Sequence, residues 1–387
     1  MATILLRHYT DFVPPTGATL GSEIGPFTVS TVILQHTQGT FKLPRYQSID
    51  KLLEIHPSLV IMADAVLWRP CGSPQEIVPR PFRFALQLKN AESAEQWRNA
   101  GRRAEELGYD VVSMPDHFEE QLAPIPALAA IASGTSKLRL SMFVLANDFR
   151  SPVLLAKEVA TLDLLSGGRV ELGLGAGWNR LEYEQAGFHF DEASVRIDRL
   201  AEAVQVLKAL FAGKTVHHKG VHYLIGGLKL YPVPVNGRSV PLVLGGGGHK
   251  MLALAAREAD IVGITTNNQA RTAAGLMGAR STFATVREQI RWVSEQAGNR
   301  FDELELNVRI IHGIVTDERE AAANSLQASA GLNGSDILRS PFVLIGTTKQ
   351  IADHLQRLRE QLGINYFTVS QDLEEDFAPV VEELSGR

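Results

Sequence analysis

The chain has 387 residues, 45% of them hydrophobic and 21% charged, with 38 Lys and Arg against 43 Asp and Glu, a formal net charge of −5. That balance, without any basic run, removes the electrostatic case for a nucleic-acid or membrane-surface partner and leaves small neutral or anionic ligands open. A single cysteine, Cys71, excludes an intrachain disulfide framework and a thiolate metal cluster, and suits a reducing, cytoplasmic setting.

The N-terminus lacks the succession of basic, apolar and small residues that marks an export signal, and no apolar run reaches membrane-spanning length, so neither export nor a membrane span is expected. Nine of the 18 prolines fall before Phe82, at positions such as Pro14, Pro15, Pro26, Pro44, Pro57 and Pro70. Within this stretch FTVSTVILQH predicts a strand and SIDKLLEIHPSLVIM a short helix or strand, but no period lasts long enough to build a domain. Residues 1–81 therefore read as an irregular, partly mobile extension, and Met62 offers an alternative start that would make the preceding residues an upstream reading of the gene.

From Phe82 onward the pattern alternates. FRFALQL, YDVVSM, LRLSMFVL and RVELGLG read as short strands, separated by helices from Ser93 to Leu107, from Pro124 and from Pro152. Leu200, Val204, Leu207 and Phe211 then mark one face of a further helix. A polar, glycine-broken excursion from Lys214 to Pro234 follows. PLVLGGGG, a helix, DIVGI, a long helix to Gly298, LELNVRIIHGIV, another helix, a helix beginning near Thr348 and NYFTVSQ complete the series. Strands alternating with amphipathic helices imply parallel strands with right-handed crossovers. Eight such strands predict an α/β protein, a (β/α)8 barrel over 82–377 with 378–387 as a C-terminal tail, and put the reacting groups on the loops after the strands' C-terminal ends. An open doubly wound sheet is the rival arrangement.

Four segments should then meet at one mouth. In SGGRVELGLGAGWNRLEYEQAG, Gly167 and Gly168 stop a helix, Val170, Leu172 and Leu174 alternate as a strand, and Gly173, Gly175 and Gly177 occupy the other phase. Side chains removed at that spacing permit close approach to the backbone, or simply pack a barrel; Trp178 stands at the exit as an aromatic wall. After the second strand, Asp116 precedes His117, and a carboxylate beside an imidazole can fix its tautomer and tune a group that titrates near neutrality. The structural alternative for Asp116 is a helix cap. After the third strand the run Phe143-Val144-Leu145-Ala146-Asn147-Asp148 turns from apolar to polar, so its backbone and Asn147 can line a ring edge while Phe143 and Leu145 pack the core. Gly245, Gly246, Gly247 and Gly248 precede His249, Lys250 and a helix, a source of free N–H groups and a positive dipole end for a phosphate. Lys250 or a protonated His249 would add charge there.

Three other patterns carry less. GLGAG resembles a dinucleotide fingerprint, but its third glycine comes one residue early and its unit is the fourth of the series. Ala212-Gly213-Lys214-Thr215 ends like a phosphate loop, yet Lys208 stands where the first glycine is required. His217, His218 and His222 have a spacing that suits a metal on a helix, whereas their neighbours suggest a hairpin with solvated histidines, and no metal is assigned.

With these residues placed, MPDHF, LAKEVATLDLLSGGRVELGLGAGWNRLEYEQAG, VRIDRLAEAVQVLKALF, GLKLYPVPV running into PLVLGGGG, and LAAREADIVGI make the chain from about Arg80 to Phe377 resemble the bacterial luciferase-like family of flavin and deazaflavin oxidoreductases. VLANDFRSPVLLAKEVATLDLLSGGR and SPFVLIGTTKQIADHLQRLRE are similar to an actinobacterial-type subgroup dependent on coenzyme F420. The resemblance implies a TIM barrel that holds an isoalloxazine-like ring at its C-terminal mouth, backed by a bulge at the end of strand three. In the family that bulge often contains a non-proline cis peptide, which here would fall near Phe143-Val144. It also implies that Asp116 and His117 are the family's pair near the reacting ring, that Phe143, Val144, Ala146 and Asn147 back it, that Ala176 and Gly177 lie at its pyrimidine side, and that Gly245 to Gly248 hold the cofactor phosphate. The glycine-rich loop is closer to deazaflavin enzymes than to the serine-bearing loops common in FMN monooxygenases.

One departure matters. Sugar-phosphate dehydrogenases of the family carry a glutamate acid where Trp178 stands, which puts sugar-phosphate oxidation in doubt and favours a hydrophobic or planar substrate beside Trp178. The expected function is a cytoplasmic oxidoreductase moving a hydride between coenzyme F420 and a small organic substrate, with His117, held by Asp116, assisting proton movement. Two alternatives share the fold: an FMN-dependent two-component monooxygenase fed by a separate reductase, and a non-catalytic flavin- or deazaflavin-binding protein. An aldolase-type barrel is disfavoured by the lack of a lysine at an obvious strand exit. A homodimer is implied by the resemblance alone.

Overall fold

The computed structural model describes residues 80–237, 239–266 and 278–387, with the backbone of three strands nearer the N-terminus. The chain divides into two units, Met1–Pro74 and Gln75–Arg387. In the first, strands β1 (Thr3–Leu6), β2 (Val32–His36) and β3 (Gly39–Leu43) pair antiparallel in that order, so this part is not wholly irregular. The strand expected within FTVSTVILQH falls on β2. The segment SIDKLLEIHPSLVIM lies outside the described residues.

The second unit carries, in chain order, β4 (Arg83–Gln87), β5 (Val111–Met114), β6 (Arg139–Ala146), β7 (Val170–Gly175), β8 (Thr215–Lys219), β9 (Leu224–Lys229), β10 (Leu242–Gly246), β11 (Ile261–Ile264), β12 (Glu305–Arg309), β13 (His312–Val315), β14 (Val343–Gly346) and β15 (Ile364–Ser370). Eight of these, β4-β5-β6-β7-β10-β11-β12-β15, close into a barrel with parallel neighbours throughout, and β15 returns to β4. Closure disposes of the open-sheet alternative. The helices between strands begin and end on local signals. Ser93 caps Ala94–Glu106 by accepting from the Gln96 N–H, Gly167 ends Pro152–Ser166 in the left-handed conformation, and Thr347 with Gln350 forms a capping box for Thr348–Leu362. Among the described residues no helix is long and apolar enough to cross a membrane.

Two sequence expectations need correction. LELNVRIIHGIV is not one strand: β12 stays in the barrel, whereas β13 leaves it and pairs with β14 over a small separate cluster of Ala323, Ala330, Ile337, Val343 and Ile345. Residues 378–387 are not a tail. They complete the helix Glu374–Leu384, whose Val380, Val381 and Leu384 are buried, and the Arg387 carbonyl accepts from the Phe82 N–H. The excursion from Lys214 forms the expected hairpin, β8 against β9. Glu202 pins it, its carboxylate accepting from the N–H groups of Val221, His222 and Tyr223 and pairing with His218 at 2.9 Å.

Strand periodicity of two sorts side chains between two cores. Phe84, Leu86, Leu172, Leu174, Phe367 and Val369 face the helices, in the main cluster. Ala85, Val111, Phe143, Val243, Ile261 and Tyr366 fill the barrel itself. The same phase carries the interior polar residues: Arg83, Glu171 and Glu305 at the N-terminal end, Gln87 and Arg309 at the C-terminal end. At the N-terminal end Glu171, 1% exposed, pairs with both Arg83 and Arg139, the latter at 2.7 Å, and accepts from the Tyr366 hydroxyl at 3.2 Å. Arg83 also meets Glu305 at 2.5 Å.

Burial pushes the Glu171 carboxyl up, and the Arg83 and Arg139 guanidiniums more than reverse this, holding it below the usual carboxylate range. Because the folded value lies below the unfolded one, this contribution to stability is complete above the unfolded value and is lost as pH falls through the folded one. Glu171→Gln leaves Arg139 without a carboxylate and Arg83 with Glu305 alone, and should cost about 3–5 kcal/mol in a denaturant titration at neutral pH. The same substitution should flatten the acid limb of stability against pH, and an unchanged acid limb would mean that other carboxylates govern it.

Candidate active site

A cavity of about 870 Å³ opens at the C-terminal end of the barrel, within the size range of cofactor sites. Its back wall is the end of β6. The register between β6 and β7 breaks between Met142 and Leu145, and the Phe143-Val144 peptide is cis, where the family resemblance places it. The glycines of β7 exist to admit this bulge. A Cβ at Gly173 would sit 1.9 Å from the Met142 carbonyl oxygen, and one at Gly175 would sit 2.8 Å from Val144 Cγ2. The packing alternative therefore holds for both. Gly177 has φ +73°, and a Cβ there would lie 1.8 Å from the Tyr183 hydroxyl. The carbonyls of Ala176 and Gly177 accept from Arg196 at 3.1 and 3.4 Å. Phe143, Val144, Ala146, Ala176, Gly177 and Trp178 all line the cavity.

Asp116 and His117 do not form a pair. Asp116 accepts from the Ala146 N–H at 3.0 Å and is gripped by both η nitrogens of Arg150, at 2.5 and 2.9 Å. It anchors the end of the bulge. The His117 Nδ1 lies 2.9 and 3.1 Å from the two carboxylate oxygens of Glu182, on the helix Arg180–Ala186. An ionised carboxylate only accepts, so Nδ1 carries the proton and Nε2 is the nitrogen left for a ligand. The Trp178 ring stands edge-on to the imidazole at 5.7 Å between centroids. His117, Glu119 and Glu182 also offer ligand atoms within 4.8 Å of one another, with Glu119 exposed.

The glycine run divides by strand phase. Gly245 follows Val243 on the interior face, and a Cβ there would make only ordinary contacts, the nearest 3.5 Å from Val144 Cγ1. Packing therefore does not require its absence, and the space it leaves belongs to the cavity. Gly246 faces the helix His249–Glu258, where a Cβ would lie 2.4 Å from Met251 Cγ. Gly247 is held by Gln289, whose amide donates to its carbonyl at 2.9 Å and to that of Thr265 at 3.0 Å. Gly248 caps the helix with φ −92° and ψ 150° and supplies no side chain to its first turn, so those N–H groups suit a phosphate. Lys250 is committed elsewhere, to Asp198 at 2.7 Å, and the His249 ring packs edge-on to Trp292 at 5.3 Å.

Asn147 also departs from expectation. Its amide donates to the Tyr223 hydroxyl at 3.1 Å and to Asp148, away from the cavity. His217 and His222 join no metal-ligating group among the described residues, and His218 is taken by Glu202. Sequence reasoning missed Glu182, Arg150 and Gln289, and missed Gln87 and Arg309, which line the cavity. Arg309 had a visible signal, a charge inside the apolar run LNVRII.

If Asp116 serves the bulge, Asp116→Ala and Arg150→Ala should each destabilise by about 3 kcal/mol, and the double variant by little more than either. Urea titrations of the four proteins check this. Additivity between Asp116 and Arg150 would mean that the two do not act as a unit in holding the bulge.

A family model described as luciferase-like monooxygenase matches residues 78–324. The chain is 31% identical over 189 residues to the F420-dependent glucose-6-phosphate dehydrogenase of Microbacterium testaceum, a match covering 46% of this chain and 55% of that protein. It is 29% identical over 258 residues to the protein of the same description from Nakamurella multipartita, covering 63% and 71%. The chain thus spans little more than half the length of the first relative. Among solved structures, the coenzyme F420-dependent tetrahydromethanopterin reductase from Methanopyrus kandleri superposes with a TM-score of 0.64 at 18% identity, over 79% of this chain and 98% of that one. At that identity the likeness is one of fold.

Proposed function

This chain belongs to the luciferase-like monooxygenase family, and on that premise we propose that it is an oxidoreductase that binds coenzyme F420 in the barrel mouth and serves hydride transfer to or from a small organic substrate. One observation carries the reading: a histidine fixed by a buried carboxylate faces a ring-sized cavity whose floor is a side-chain-free glycine and whose far edge is an uncapped helix N-terminus. The bound cofactor supplies the hydride donor or acceptor.

The chain's own residues do the rest. The Phe143-Val144 bulge backs the ring, Gly245 leaves room for it, and the first-turn N–H groups beyond Gly248 take a phosphate. His117 Nε2 gives a proton to the substrate oxygen when a carbonyl is reduced and takes it back when an alcohol is oxidised. Glu182 holds the Nδ1 proton and stabilises the imidazolium formed when Nε2 is protonated. Trp178 shapes an apolar substrate side, against sugar-phosphate oxidation. A cytoplasmic setting and a homodimer accompany this reading. FMN-dependent monooxygenation with a separate reductase is the second reading, because the family model bears that description.

Fluorescence titration with coenzyme F420 and, in parallel, FMN tests the proposal. Asp is a better N-cap than Gly by a few tenths of a kcal/mol, so Gly248→Asp should melt no lower than the parent, yet bind F420 about tenfold more weakly or worse by placing a carboxylate at the phosphate position. Preferential FMN binding moves the assignment to the monooxygenase, and binding of neither ends it. His117→Ala should keep F420 binding while losing about 10²–10⁴-fold in turnover of a carbonyl panel; undiminished turnover would leave His117 without a catalytic role.

A further inference from the structure

The cavity has a second polar feature that hydride transfer does not use. It lies across the barrel from β7, on the two strands that flank β15, where Gln87 ends β4 and Arg309 ends β12. Arg309 Nε donates to Gln87 Oε1 at 2.8 Å, the only hydrogen bond of that guanidinium among the described residues. It makes no ion pair among them either, and the carboxylate that acts on it, Asp372, does so without contact. Gln87 is 3% exposed, and its amide nitrogen has no acceptor among the described residues. Two Nη groups and one amide thus present N–H donors with no acceptor among the described residues, at a wall where burial already disfavours the charge.

The chemistry around them is one-sided. Lys89 lines the same cavity with an ammonium that makes no ion pair among the described residues, and Ile264, Ile311 and Phe342 supply apolar surface. A planar guanidinium with both Nη groups open matches a carboxylate, which accepts two parallel hydrogen bonds. The anion site on the helix His249–Glu258 is separate, being made of backbone N–H groups beyond β10.

We propose that Arg309 and Gln87 form a carboxylate-binding subsite for the substrate, and that the substrate is a hydrophobic organic acid whose apolar portion reaches from this pair toward His117 and Trp178. The inference rests on reading the mouth as an oxidoreductase site. It narrows that reading from any small organic molecule to an amphipathic acid.

Calorimetric titration of the full chain, with and without saturating coenzyme F420, uses four probes: cinnamate, octanoate and their primary amides. At least one acid should bind about tenfold or more tightly than its amide, as a charge-assisted bidentate contact requires. Arg309→Gln should erase the difference and leave F420 affinity unchanged. Gln87→Glu should do the same while giving Arg309 an internal counter-ion, so this variant leaves no unpaired charge buried. Equal binding of acid and amide, binding of neither acid, or variants that weaken F420 instead of the acid overturn the subsite. Arg309-dependent binding of an acid by a chain that binds no F420 keeps the subsite and removes the oxidoreductase reading, so the two failures are distinct.

Discussion

The break in register between β6 and β7 is the constraint on which the mouth depends. A bulge can enter a parallel barrel only where the neighbouring strand yields space, and Gly173 and Gly175 yield it: either Cβ would fall inside contact distance of Met142 or Val144. The bulge then has to be held from the other side. Asp116, leaving β5, does this by accepting from the Ala146 N–H while Arg150 neutralises it. Two strands and a connecting turn thus fix one flat wall, and the cavity, the position of Trp178 and the placement of the His117 ring follow from it.

Much of this was legible in the sequence because it rests on period and punctuation. The alternation of Phe84, Ala85 and Leu86, or of Leu172, Gly173 and Leu174, is a two-core pattern, and the eight strands and their closure follow from it. What failed depends on contacts that lie far apart in sequence or on the phase of a single residue. Asp116 and His117 are adjacent in sequence beyond the end of β5, yet one side chain pairs with Arg150 and the other with Glu182. Four consecutive glycines looked uniform, yet the same alternation makes Gly245 a cavity residue and Gly246 a helix-packing residue. Asn147 and Lys250 were read as ligand contacts from position alone, and each found a protein partner that only tertiary structure brings near. Residues 378–387 were read as a tail, whereas the helix Glu374–Leu384 runs through Pro379 and buries Val380, Val381 and Leu384.

The carboxylate missing at position 178 deserves the same treatment. A glutamate there would open directly onto the cavity; in this chain Trp178 lines it at that place, and Glu182 on the following helix, 6% exposed, also lines it while holding the His117 imidazole. A carboxylate bound to the Nδ1 of a histidine presents the pocket with fewer open acceptor sites than a free one. The wall at position 178 is an indole, edge-on to an imidazole that the Glu182 carboxylate holds.

The two ends of the barrel treat interior charge differently. At the N-terminal end, interior charges come in complementary sets: Glu171 between Arg83 and Arg139, and Glu305 on Arg83. Every guanidinium there has a carboxylate, and such closure is what stability demands of buried charge. At the C-terminal end the same strands, β4 and β12, carry Gln87 and Arg309 one side-chain layer beyond Ala85 and Asn307, and there the guanidinium has a neutral partner and spare donors. A fold that pairs its charges at one end has the means to pair them at the other. Arg309 lines the cavity with donors that no described residue accepts, and there an acceptor from outside the chain can replace water.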